Sequence, residues 1–243
     1  MTPLILVFVL AVSPLMAQLP SGLTRYTLGY LKSHPNRPAL PKEEAAAIQK
    51  AHLAHLGDLG RKGELLSAGP ILTPGSPIRG IVIFRTESLE KAREMAEADP
   101  AVVNKLLLVE LHSWTAPKGI GERWAAEAKE NPNLAMKMKT YQLVVLRPGP
   151  NWRGFNDPDF PGHRDAHMAS LRQLTRAGKL VLAGPYASLD NIGGVFVYSA
   201  GTLDDARALA KADPFITAGI FEFDVYEWMC DERTMPDLTS ADR

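Results

Sequence analysis

Between Tyr26 and Leu31 the chain alternates in a β-prone run. Further on, Ile48, His52, Leu56 and Leu59 recur at three- and four-residue intervals and stop before Gly63. The first pattern predicts a strand. The second predicts a helix over Glu43 to Lys62 that ends where a glycine can take the left-handed conformation. Leu65 to Ala68 follows as a short strand closed by Gly69-Pro70, and Ile81 to Phe84 as another after a Pro/Gly-rich loop. Ser88 stands where an N-cap would open a helix to Ala98, and Leu106 to Trp114 is the last strand. The order is strand, helix, strand, strand, helix, strand.

That order occurs twice. "AHLAHLGDLGRKGELLSAGP" starts at Ala51 and "AHMASLRQLTRAGKLVLAGP" at Ala166, while "SLEKAREMAEADP" is echoed by "TLDDARALAKADP". The second copy runs from Tyr141 to Trp228. Each copy predicts a split βαβ, ferredoxin-like module, four antiparallel strands with both helices on one face. The other face of such a sheet needs cover, and a tandem chain supplies it by packing its two sheets against each other. The expected fold is therefore α+β, a pseudo-twofold pair of modules. We divide the chain into modules at residues 24–116 and 140–230, a linker at 117–139 with one short helix over Glu122 to Glu130, and an irregular tail at 231–243.

Composition narrows the setting. Among 243 residues, 27 basic and 27 acidic side chains leave no net charge, and neither sign forms a long run, so nucleic acid is not an expected partner. The opening "MTPLILVFVLAVSPLMAQLP" is an uncharged apolar run ending in a small-residue site. It reads as a signal peptide over residues 1–17, cut after Ala17, for a secreted or periplasmic protein with no stable membrane span after cleavage. The alternative is an uncleaved anchor. The single cysteine, Cys230, cannot form an internal disulfide, so packing alone must hold the fold.

The repeated set of His, then Gly-Pro, then Asp-Pro after the second helix resembles the YCII-related (YciI-like) domain of the dimeric α+β barrel superfamily. The resemblance covers nearly all of Tyr26 to Trp228 outside the linker. It implies ferredoxin-like modules packed sheet to sheet and a His–Asp pair for acid/base chemistry, of a kind proposed in relatives similar to dehydrochlorinases. Carried onto this sequence, the candidate catalytic pairs are His52 with Asp99 and His167 with Asp213. The topology puts Lys32 or Arg147 at the same edge of each module, where a cation would hold an anionic substrate and a carboxylate beside an imidazole would raise its basicity.

A structural reading stands beside this one. His52 lies on the apolar stripe of its helix, where a packed core histidine is the common case, and Asp99-Pro100 and Asp213-Pro214 have the form of an N-cap followed by proline. On the last strands, Glu110 and His112 share a face with Trp114, and Asp224 and Tyr226 with Trp228. That face is expected to point between the sheets and to line a pocket or carry interface hydrogen bonds. His163 and His167 are four apart but lack the glutamate of HExxH, and no Gly-rich phosphate loop, GxSxG elbow or CxxC appears, so neither metal nor other cofactor is expected. Because "ADPF" in copy two carries the aromatic usual in the family, its site is the preferred one. The reading is a small-molecule enzyme working by proton abstraction, elimination or hydrolysis, with a non-catalytic binding or assembly module as the alternative.

Overall fold

A computed structural model describes residues 19–131, 134–188 and 192–238. The apolar run read as a signal peptide lies outside them. No helix among the described residues is long and apolar enough to cross a membrane. The first module consists of β1 (Leu23–Ser33), α1 (Lys42–Arg61), β2 (Leu65–Pro70), β3 (Ile78–Phe84), α2 (Leu89–Glu97), a one-turn α3 (Pro100–Val103) and β4 (Leu107–Pro117). Next come α4 (Glu122–Glu130), then β5 (Met138–Pro148), α5 (Phe160–Arg176), β6 (Leu180–Pro185), β7 (Gly194–Tyr198), α6 (Leu203–Lys211), α7 (Pro214–Thr217) and β8 (Phe221–Asp231). The sheets have the orders β2-β3-β1-β4 and β6-β7-β5-β8, antiparallel throughout.

Period two along the strands sorts side chains onto the two faces. Leu31, Val82 and Phe84 meet Leu59, Ala92 and Ala96 beneath the helices of the first module, and Val144, Leu146 and Phe196 meet Ala206 and Ala210 in the second. The opposite faces merge into one shared core, in which Tyr26, Leu28, Ile81 and Trp114 of one sheet meet Leu143, Val195, Val197 and Trp228 of the other. Trp114 and Trp228 are fully buried there. At roughly 200 Å² per indole and about 25 cal/mol per Å², each contributes on the order of 5 kcal/mol before conformational entropy is charged against it.

The Gly-Pro pairs do more than end strands. β2 lies against β8 and β6 against β4, joining the sheets at both edges through the bridges Ile71 to Trp228 and Trp114 to Tyr186. The Leu72 amide donates to the Glu227 carbonyl at 2.8 Å, and the Ala187 amide to the Ser113 carbonyl at 2.7 Å. A Cβ on Gly69 would collide with the Met229 carbonyl, and one on Gly184 with that of Thr115. Glycine recurs at these two positions because another backbone passes where a side chain would be.

The tail differs from its expected irregular form. β8 continues beyond Trp228 to Asp231, a 3-10 turn spans Glu232–Thr234, and Met235 is buried. Arg233, 2% exposed, explains the order: its guanidinium donates to Asp231 Oδ2 at 2.5 Å, to the Ala135 carbonyl at 2.7 Å and to Glu127 Oε2 at 3.2 Å. It ties the tail to α4 and to the segment entering β5. Such a charge is tolerated in a buried setting because each donor group finds an acceptor.

Candidate functional site

α1 carries His52 on its buried stripe, and the end of α2 delivers Asp99 to it. His52 Nδ1 and Asp99 Oδ2 are 2.6 Å apart, and the residues are 7% and 3% exposed. The other carboxylate oxygen, Oδ1, accepts the Ala101 amide at 2.8 Å and caps α3. The His–Asp contact and the N-cap expected of the Asp-Pro motif thus coexist, on separate oxygens. In the neutral imidazole with Nδ1 donating to the carboxylate, Nε2 is the accepting nitrogen. Nε2 has no hydrogen-bond partner among the described residues, and it is absent from the fully buried unpartnered atoms, which are Tyr198 Oη and Trp228 Nε1.

His52 forms part of the wall of a cleft of about 630 Å³. Leu53, Leu56 and Leu106 provide apolar surface from the first module, and Trp124, Met136 and Met138 close it from α4, the segment entering β5 and the start of β5. Asp231 and Thr234 from the tail complete the wall. The cleft is therefore assembled from both halves of the chain. Its linker and tail contributions were invisible in the repeat pattern, because those segments have no counterpart in the other copy.

His167 and Asp213 reproduce the pair at 2.7 Å, with Oδ1 of Asp213 accepting the Phe215 amide at 3.0 Å. The surroundings differ. The imidazole stacks on Phe215 at 4.5 Å, Phe215 stacks on Phe160, and Trp152 stacks on Phe221. The residues at these four positions in the first module are Ala101, Ala45, Arg37 and Leu107. Three of them, Arg37, Ala101 and Leu107, line the cleft. The aromatic after Asp-Pro in copy two occupies the ground that stays open in copy one.

Lys32 and Arg147 do not join the histidines. Period two puts Lys32 on the same face as Tyr30, looking into the space between the sheets, and the sheet stands between it and His52. There Lys32 Nζ meets Glu110 Oε2 at 2.5 Å, and Glu110 Oε1 lies 2.9 Å from His112 Nε2. His112 stacks on Tyr186 at 4.6 Å, and the Tyr186 hydroxyl is 2.5 Å from that of Tyr30. Burial pushes His112 below its ordinary pKa against the opposing pull of Glu110. Burial also pushes Tyr186 up to about 12 and Tyr30 well above the phenol range. In Glu110 burial acts upward, but Lys32 and His112 outweigh it and hold the carboxyl below its usual value. At the pseudo-equivalent end, Arg147 bridges Glu222 at 3.0 Å and Asp224 at 2.9 Å. Tyr226, its pKa raised by burial, packs against the shared core.

With the two modules and their His–Asp pairs in place, the comparison with known proteins is direct. The model of the YCII-related domain matches residues 28–115 and again 159–229. The chain belongs to the YCII-related domain family. A YCII relative, the uncharacterized protein YjpA of Bacillus subtilis (strain 168), is 30% identical over 91 residues, 37% of this chain and 95% of that protein. Protein YciI of Escherichia coli O6:H1 is 34% identical over 67 residues, 24% of this chain and 68% of its own length. A module-length stretch of this YCII chain thus spans nearly all of YjpA. Chlorite dismutase from Candidatus Nitrospira defluvii superposes with TM-score 0.56 over 88% of this chain and 93% of its own, at 10% identity. The imidazole complex of that protein gives the same TM-score and identity. Likeness at that identity speaks to the paired-module fold of this YCII protein.

Proposed function

We propose that the chain is an acid/base enzyme acting on a small molecule in the cleft of its first module, with His52 as the base and Asp99 orienting it. One observation carries the reading: a buried carboxylate engages Nδ1, and the same histidine lines a cleft large enough for a small organic molecule. Nε2 takes a proton from a substrate carbon or from water, and the resulting imidazolium is stabilised by the Asp99 carboxylate. In an elimination the C–H electron pair becomes the new π bond while the leaving group departs with its own pair. In a hydrolysis the deprotonated water attacks and the imidazolium returns the proton to the leaving group.

His167 and Asp213 have a structural role in this proposal, supported by the aromatic packing around them. We also read the apolar opening run as an export leader, which N-terminal mass spectrometry of the protein recovered from its native host tests directly. For the site, the purified chain is screened for stabilising small molecules by thermal shift, and hits are followed for turnover. His52→Gln is expected to abolish turnover while folding normally, and His167→Gln to leave it within a few-fold. Undiminished turnover by the His52 variant would overturn the assignment.

A further inference from the structure

We propose that the His52 cleft takes an organic carboxylate with an apolar body, its anionic group held by Arg37 and Arg79. This rests on the reading of the cleft as the substrate site and specifies what enters it. Arg37 lies in the β1–α1 loop, where Nη1 donates at 3.5 Å to the carbonyl of Leu106, the residue just before β4. Arg79 lies at the start of β3, directly after Ile78, which pairs with Lys32. The end of β1, the start of β3 and the start of β4 lie at one end of the sheet, and both arginines line the cleft there.

The charge balance of the lining is one-sided. The guanidinium of Arg79 is exposed and has no ion pair or hydrogen bond among the described residues. Asp231 is the sole carboxylate of the lining, and it is committed to Arg233 at 2.5 Å and to the Lys137 amide at 3.1 Å. Two guanidinium groups therefore border a mostly apolar wall with no acid left to neutralise them. Guanidinium matches the planar geometry of a carboxylate.

The remaining surface selects an apolar body. Leu53, Met136 and Met138 are large apolar side chains, 58%, 57% and 43% exposed, and all three border this cleft. Methionine adapts its shape to what it covers. A ligand with its carboxylate on the arginines and its hydrocarbon against these side chains removes that surface from water and leaves its reacting carbon within the cleft that His52 lines.

Octanoate and 4-phenylbutyrate, each beside its uncharged amide, are titrated into the full chain by calorimetry. At least one carboxylate is expected to bind, about tenfold more tightly than its amide. Arg79→Met and Arg37→Met should each remove most of that preference while leaving amide affinity alone. Both residues are exposed, so these variants fold. Leu53→Trp, which fills the cleft, should abolish binding of both members of a pair. Equal affinity of carboxylate and amide, a preference unchanged in the double arginine variant, or no binding of any probe overturns the proposal. Turnover lost in His52→Gln but kept in the arginine variants would leave the acid/base reading standing while the carboxylate assignment falls.

Discussion

Asp99→Asn separates the two jobs of one side chain. Oδ1 caps α3 through the Ala101 amide at 2.8 Å, and Oδ2 engages His52 at 2.6 Å. Asparagine caps a helix about as well as aspartate, so the amide oxygen keeps the first contact. The NH₂ group then faces Nδ1 and can only donate, which forces Nδ1 to accept and moves the proton to Nε2. Replacing a charge-assisted bond by a neutral one costs about 1 kcal/mol, a fall in Tm of roughly 2–4 °C for a chain of this size. Turnover should drop by about 10²–10⁴, because the accepting nitrogen is gone and the imidazolium has lost its counter-charge. Asp99→Ala removes the cap as well, worth about 1 kcal/mol, and strands a buried imidazole nitrogen at about 1–3 kcal/mol, for a Tm loss of roughly 4–16 °C. Thermal unfolding measures the stability split, and long-range proton–nitrogen NMR of the imidazole reads the tautomer without a substrate. An asparagine variant that leaves Nε2 unprotonated and turnover intact would refute the argument.

Other substitutions probe the packing and the titration. Gly69→Ala and Gly184→Ala should each cost about 3 kcal/mol or more in urea unfolding, because the new methyl meets a carbonyl of the other module. Phe215→Ala should lower stability by about 3–5 kcal/mol and open space beside His167, which crystallography or probe binding would show. Burial pushes the Cys230 thiol up to about 12, so its contribution to stability is complete below the unfolded-state pKa of about 8.5 and declines as pH rises toward 12. Between pH 8.5 and 10, before tyrosines titrate, wild type should lose up to about 1.4 kcal/mol per pH unit in urea midpoints, and Cys230→Ala should not. A parallel pH slope in the two proteins would show that another group is responsible. Arg233→Met leaves Asp231 buried without its partner and should cost about 3–5 kcal/mol in urea unfolding.

The fold was legible because both repeats obey the same periodicities and because a one-faced sheet must be covered. Tyr26, Leu28 and Tyr30 already announced the shared core, and the same count would have sent Lys32 to that face and away from His52. Knowing which strand ends share an edge does not carry that distinction, since an edge has two sides. Arg37 and Arg79 escaped notice for another reason: each sits in or beside a loop, where no period assigns direction, and copy two has Trp152 at the position of Arg37. Arg233 was hidden because its value lies in three acceptors scattered over residues 127 to 231. The Asp-Pro motif fits both a cap and a partner for the histidine, and a carboxylate with two oxygens can serve both geometries.

The two seams that join the sheets differ in when they can form. Contact of β4 with β6 links segments separated by the linker, β5 and α5, whereas contact of β2 with β8 joins a strand in the first third of the chain to the last strand. A ribosome adding ~5–20 residues per second needs on the order of ten seconds to make the roughly 100 residues between Pro117 and the end of β8. During that interval the first module has its strands but lacks the surface that covers Tyr26, Leu28 and Ile81, and the His52 cleft lacks its tail wall. Synthesis of this chain therefore includes a period in which a finished sheet is adhesive, and completion of β8 and the turn after it is what ends it.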